Sequence, residues 1–238
     1  MLPIHRIFAT VAWVAVSLSL MSAQSLSELS SPKDIPSGSV VVVGFLGGYD
    51  RWNDPHRGVR KVVLRLRSRG MFAEAIGNHS YRTALDFLHR ALDTNHDSRI
   101  DSKEASAARV ILFGQSWGGA AAIKMARSLE QDRVPVLLTV QVDSVGLHDA
   151  VIPANVHAAL NLFQHESFTI RGRRVIRAAD PASTQILGNF QFRYPPGSID
   201  ESDASWKRRV IGRSHTMMEL DPRVWDDVEQ HIVVAATK

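Results

Sequence analysis

Residues 110–125 read Val110-Ile111-Leu112-Phe113-Gly114-Gln115-Ser116-Trp117-Gly118-Gly119-Ala120-Ala121-Ala122-Ile123-Lys124-Met125. Four apolar residues enter a Gly-x-Ser-x-Gly turn, and good helix formers leave it. In such a strand–turn–helix the bend is so tight that positions two before and two after the serine have no room for a side chain. Glycine at 114 and 118 meets that demand. The serine is then held up above the sheet, beside a helix N-terminus that favours negative charge. Ser116 is the candidate nucleophile.

Outward from this turn, apolar runs alternate with amphipathic ones. Residues 39–45 read as a buried strand, β-branched and too short for a helix. Residues 59–69 fit a helix, with a strand as the other reading, and 71–76 fit a short strand ending at Gly77. Residues 81–92 place Leu85, Leu88, Ala91 and Leu92 on one helical face. A helix over 118–131, a strong strand over 134–142 and a last strand within 184–192 follow. Asp221-Pro222 opens a final helix, Asp as N-cap and Pro at the first helical position. Strand and helix in alternation predict an α/β fold, a mostly parallel sheet covered on both faces. There is no internal repeat and no second hydrophobic core, so residues 39–238 are expected to form one domain.

The composition agrees. A chain of 238 residues, 45% apolar and 22% charged, is one ordinary globular domain with a short appendage. The absence of cysteine excludes disulfides, thiolate metal sites and a cysteine nucleophile. A net charge of +4 without a basic run argues against nucleic acid as a partner. Residues 1–23 have a short basic head, an apolar run from Ile7 to Met21 and then small polar residues. That order predicts a cleaved export signal, with cleavage after Ala23 or Ser25, and hence a periplasmic or secreted protein. The apolar run is too short for a stable membrane span. Residues 24–38, Ser-rich with Pro32 and Pro36, are expected to be a flexible lead-in.

The elbow and its flanks resemble the α/β-hydrolase superfamily, particularly its small lipase- and thioesterase-like members, over roughly Val40 to Ile232. The resemblance implies a reduced form of that fold and the chain order nucleophile, acid, histidine. Asp143, just beyond the 134–142 strand, is then the expected acid, with Asp180 and Asp221 as fallbacks. His215, between the last strand region and the last helix, is the expected base in a loop. His56, His79, His89 and His96 precede the serine, His148 and His157 follow the acid too soon, and His231 lies inside the final helix. Two amides would form the oxyanion hole. One is that of Trp117; the other comes from the early loop, Phe45 being favoured and Leu46 its neighbour. Relatives carry His-Gly there; this chain has Val43-Gly44. Phe45, Leu46, Trp52 and Trp117 could line the site, and residues 144–170 could supply a lid.

A second motif precedes the elbow strand. Residues 93–104 read Asp93-Thr94-Asn95-His96-Asp97-Ser98-Arg99-Ile100-Asp101-Ser102-Lys103-Glu104. The segment resembles an EF-hand calcium loop, with Asp93, Asn95, Asp97, Asp101 and Glu104 as side-chain ligands and Arg99 offering its carbonyl. The position that normally holds Gly is Ser98, at a cost of about 1 kcal/mol. The same residues also fit a helix start, with Asp101 capping and Glu104 completing a capping box.

These readings lead to a secreted serine hydrolase that cleaves a small-molecule ester or thioester through an acyl-enzyme, with a structural calcium ion and no organic cofactor. Two other classes compete: a calcium-binding or interaction protein on a catalytically silent hydrolase scaffold, and a calcium-dependent carbohydrate or surface binder.

Overall fold

The computed structural model describes residues 23–238 apart from 168, 203, 205, 207 and 209–211. The expected export signal therefore lies outside the described residues, Ala23 excepted. The described chain runs β1 (Val40–Leu46), α1 (Gly58–Ser68), β2 (Phe72–Gly77), α2 (Tyr81–Leu92), α3 (Ser102–Ala107), β3 (Arg109–Gln115), α4 (Trp117–Gln131) and β4 (Val136–Val142). It continues with β5 (Val151–Ile152), β6 (Val156–Phe163), β7 (Arg177–Ala178), β8 (Gln185–Gln191), α5 (Arg213–Leu220) and α6 (Pro222–Ala236).

Six strands form one parallel sheet in the order β2-β1-β3-β4-β6-β8, and β5 pairs with β7 apart from it. Alternation along each strand sends side chains to opposite faces. Val41, Val43 and Phe45 pack with α2 and α4, while Val42 and Leu46 pack with α1, α5 and α6. Helices cover both faces, as the alternating pattern predicts. The segment 59–69 resolves as helix α1, whose Val59, Val62, Val63 and Leu66 face the core.

Three features differ from the sequence reading. Residues 156–163, where no element was expected, form β6 between β4 and β8. Their Ala, Asn and His content is weak as a strand signal; pairing on both sides supplies what propensity does not. With β6 inside the sheet, 144–170 is not a continuous lid. His215 lies in helix α5 rather than in a loop. The expected flexible lead-in is docked. Gln24 Nε2 donates to Ala75 O and Gln24 Oε1 accepts from Gly77 N, so one side-chain amide covers the open edge of β2. Glu74 accepts from Ser30 N and Ser31 N and pairs with Arg67.

A polar ladder crosses the sheet beneath the site. Gln141, Asn161 and Asn189 are register partners on β4, β6 and β8. Asn161 Nδ2 donates to Asn189 Oδ1 and Arg173 O, Ile176 N donates to Asn189 Oδ1, and Gln141 Nε2 donates to Asp149 O. These bonds tie the excursions after β4 and β6 to the sheet.

Candidate active site

Parallel strands end on one side of a sheet, and in open α/β sheets that carboxyl side is where ligands gather. Ser116 follows β3, Asp143 follows β4 and Gln164 follows β6. Ser116 N donates to Val142 O and Asp143 N donates to Leu162 O, so each turn is hydrogen-bonded to the next strand's end.

The elbow has the expected geometry. Ser116 adopts φ 57° and ψ −124°, a backbone that a non-glycine residue holds at a cost of order 1–3 kcal/mol. A Cβ on Gly114 would stand 2.3 Å from Gly118 O, and one on Gly118 would stand 2.0 Å from Phe45 O. Neither position has room for a side chain.

The expected acid, Asp143, and the expected base, His215, are brought together. His215 Nδ1 and Asp143 Oδ2 are 2.5 Å apart, with Asp143 fully buried. Gln164 N donates to Asp143 Oδ1 at 3.0 Å, and Gln164 Nε2 donates to Oδ2 at 2.8 Å. A Cβ on Gly172 would fall 1.9 Å from Asp143 Oδ1. The carboxylate is thus held on three sides. With Nδ1 engaged, Nε2 is the ring nitrogen left for a reacting group. His215 and Ser116 border one cavity of about 690 Å³, and among the described residues no hydrogen bond joins the Ser116 hydroxyl to the ring. Catalytic hydrogen bonds in unliganded sites are commonly long and tighten with substrate.

The fallback acids have other duties. Asp180 makes a turn with Ala182 and Ser183. Asp221 caps α6 and holds the Tyr194 hydroxyl, which burial and then the Asp221 charge keep well above its ordinary pKa.

Trp117 is the first residue of α4, so its N–H has no intrahelical acceptor. Its ring is half exposed and meets Tyr49 edge to face at 6.0 Å. Phe45 and Leu46 are strand residues with buried side chains, Phe45 pairing with Ile76 and Gly114, so neither side chain lines the cavity. The early loop borders the cavity at Gly47, Gly48 and Tyr49 instead, and a Cβ on Gly47 would lie 2.9 Å from Ser116 Cβ. Trp52 packs against the α1–α6 side of the core with Arg60 over its ring, away from the cavity wall.

Several wall residues carried no sequence signal. Asp50, Arg208 and Glu219 form one polar stretch. Arg208 reaches both carboxylates, and Arg57 bonds Glu219 at 3.1 Å. Burial, then the Glu219 charge, push the Asp50 carboxyl above its ordinary value against the pull of Arg208 and Arg57. Gln164 could have been found from its place at a strand's carboxyl end, had β6 been recognised.

The acidic loop is folded by its own side chains. Asp93 accepts from Asp97 N and Ser98 N, Asn95 from Asp97 N, and Asp97 from Arg99 N. Ser98 has φ 67°, the left-handed value usually given to glycine there. Glu104 is turned onto amides: Oε1 accepts from Thr94 N and Asn95 N, and Oε2 from Asp101 N. Asp101 caps α3 in a complete capping box. Among the described residues no three carboxylate or imidazole side chains converge as a metal site, and none of the helices is long and apolar enough to cross a membrane.

No protein-family model matches the chain, and no curated protein matches it.

Proposed function

We propose that the protein is a serine hydrolase of the α/β-hydrolase type, exported from the cell, cleaving an ester or thioester through an acyl-enzyme. The observation that carries this reading is the hydrogen bond from buried Asp143 to His215, which borders the same cavity as a strained elbow serine. Ser116 Oγ attacks the carbonyl carbon, and its proton passes to His215 Nε2. The tetrahedral oxyanion collapses, the bond to the leaving oxygen or sulfur breaks, and that atom takes the proton from the imidazolium. Water then attacks the acyl-serine with His215 again as base, releasing the acid and restoring Ser116. Asp143 fixes the tautomer and stabilises the imidazolium. The Trp117 amide is one oxyanion donor, and the Gly47–Gly48 stretch supplies the second. A fluorophosphonate probe tests the reading: covalent labelling at Ser116, lost in Ser116→Ala, is expected, and an unlabelled folded protein would sink it.

A structural calcium ion in the 93–104 loop is a second proposal, favoured by the turn series at Asp93, Asn95 and Asp97 and by the backbone of Ser98. Binding requires Glu104 to leave the amides of Thr94, Asn95 and Asp101. Extracellular modules bind with Kd of ~10⁻⁴–10⁻³ M, so millimolar calcium should raise the melting temperature, and the rise should vanish in Asp93→Ala.

A further inference from the structure

Among the described residues the acidic and basic side chains of the cavity wall meet partners of the opposite kind, Arg171 excepted. Arg208 is held between Asp50 and Glu219, and His215 is held by Asp143. Arg171 is exposed on the same wall, and among the described residues it has no carboxylate partner. Its Nε donates to Ser167 O at 2.8 Å, which leaves the two terminal nitrogens of a planar fork for something else.

The fork is preset. Gln164, the residue that holds Asp143, also builds the loop carrying Arg171. Its Oε1 accepts from Glu166 N and Ser167 N, and its Nε2 donates to Ile170 O. A guanidinium aimed by its own loop loses less freedom on meeting a ligand than a free surface arginine does. It faces a cavity that also contains the nucleophile.

We propose that Arg171 is a specificity residue, and that the ester or thioester cleaved at Ser116 carries an anionic group, carboxylate or phosphate, away from the reacting carbonyl. The inference rests on the serine-hydrolase reading for its substrate, but not for the binding of the anion. A charge-assisted bond of this kind is worth on the order of ten- to a hundredfold in selectivity.

Three p-nitrophenyl acyl esters of matched length test it, one ending in methyl, one in carboxylate and one in phosphate. The readout is the ratio of kcat/KM for each anionic ester over the neutral one. The native chain should give at least about tenfold for one of them, which identifies the anion, and high salt should shrink the ratio. Arg171→Ala should bring it close to one, and Arg171→Glu should invert it. A native ratio near one, or an Arg171→Ala that slows all esters alike, overturns the proposal. Calorimetry on Ser116→Ala with the corresponding phenyl esters separates the two readings. Arg171-dependent binding of an anionic ester, without turnover or probe labelling in the native chain, would sink the hydrolase and keep the anion site. Binding indifferent to Arg171 would sink the anion site.

Discussion

Asp143 is fully buried, where a carboxyl group without partners is costly. Gln164 supplies two donors and His215 a third, and the missing side chain of Gly172 makes room for Oδ1. Two predictions belong at this scale. Asp143→Asn should leave the fold intact and lower kcat on a nitrophenyl ester by about 10⁴, because the amide no longer fixes the required tautomer. Gly172→Ala should move the carboxylate aside and cost roughly 10²-fold in kcat, the scale expected of a small displacement at a reacting centre. A Gly172→Ala enzyme with native turnover would show that the close approach has no bearing on the site.

The β3–α4 elbow and the α2–α3 loop each store chemistry in backbone geometry. Ser116→Gly and Ser116→Ala both remove the hydroxyl, but only glycine relaxes at φ 57°. Chemical denaturation should therefore find Ser116→Gly more stable than Ser116→Ala by about 1 kcal/mol. In the α2–α3 loop, burial pushes the Glu104 carboxyl up, but the amides of Asp101, Asn95 and Thr94 and the Thr94 hydroxyl outweigh it and hold the pKa below its ordinary 4.5. A lowered folded-state value stabilises the fold above pH 4.5 and is lost as pH falls through the folded value. Glu104→Gln should flatten the acid limb of the stability curve below pH 4.5, and an unchanged limb would remove Glu104 as its source.

Across the whole molecule, six parallel strands leave two open edges, and one is closed by the chain ahead of β1. Gln24 and Arg67 satisfy Ala75 O, Gly77 N and Ala73 O of β2, so the segment before residue 39 is part of the fold. Gln24→Ala should cost on the order of 1–2 kcal/mol in denaturant melts, since water reaches the edge and recovers part of the loss. If the chain is processed in the cell, cleavage after Ala23 would keep this bond and cleavage after Ser25 would remove it. Mass spectrometry of the protein isolated from its source cells and their medium distinguishes the two.

The amino-acid sequence alone determined the elbow, because Gly114, Ser116 and Gly118 act within one turn and answer to local sterics. It likewise determined the α6 cap at Asp221-Pro222, the capping box of Asp101 and Glu104, and the parallel α/β class, all of them short-range patterns. Asp143 and His215 were legible only through chain order. That they meet, 72 residues apart in sequence, is decided by the strand order that sets β4 beside β6 and by the placement of α5, which carries His215. Gln164, Gly172 and Arg171 carried no signal because each takes its role from β6. That strand's weak propensity is overridden by hydrogen bonding to β4 and β8, an energy that exists only once the sheet has assembled.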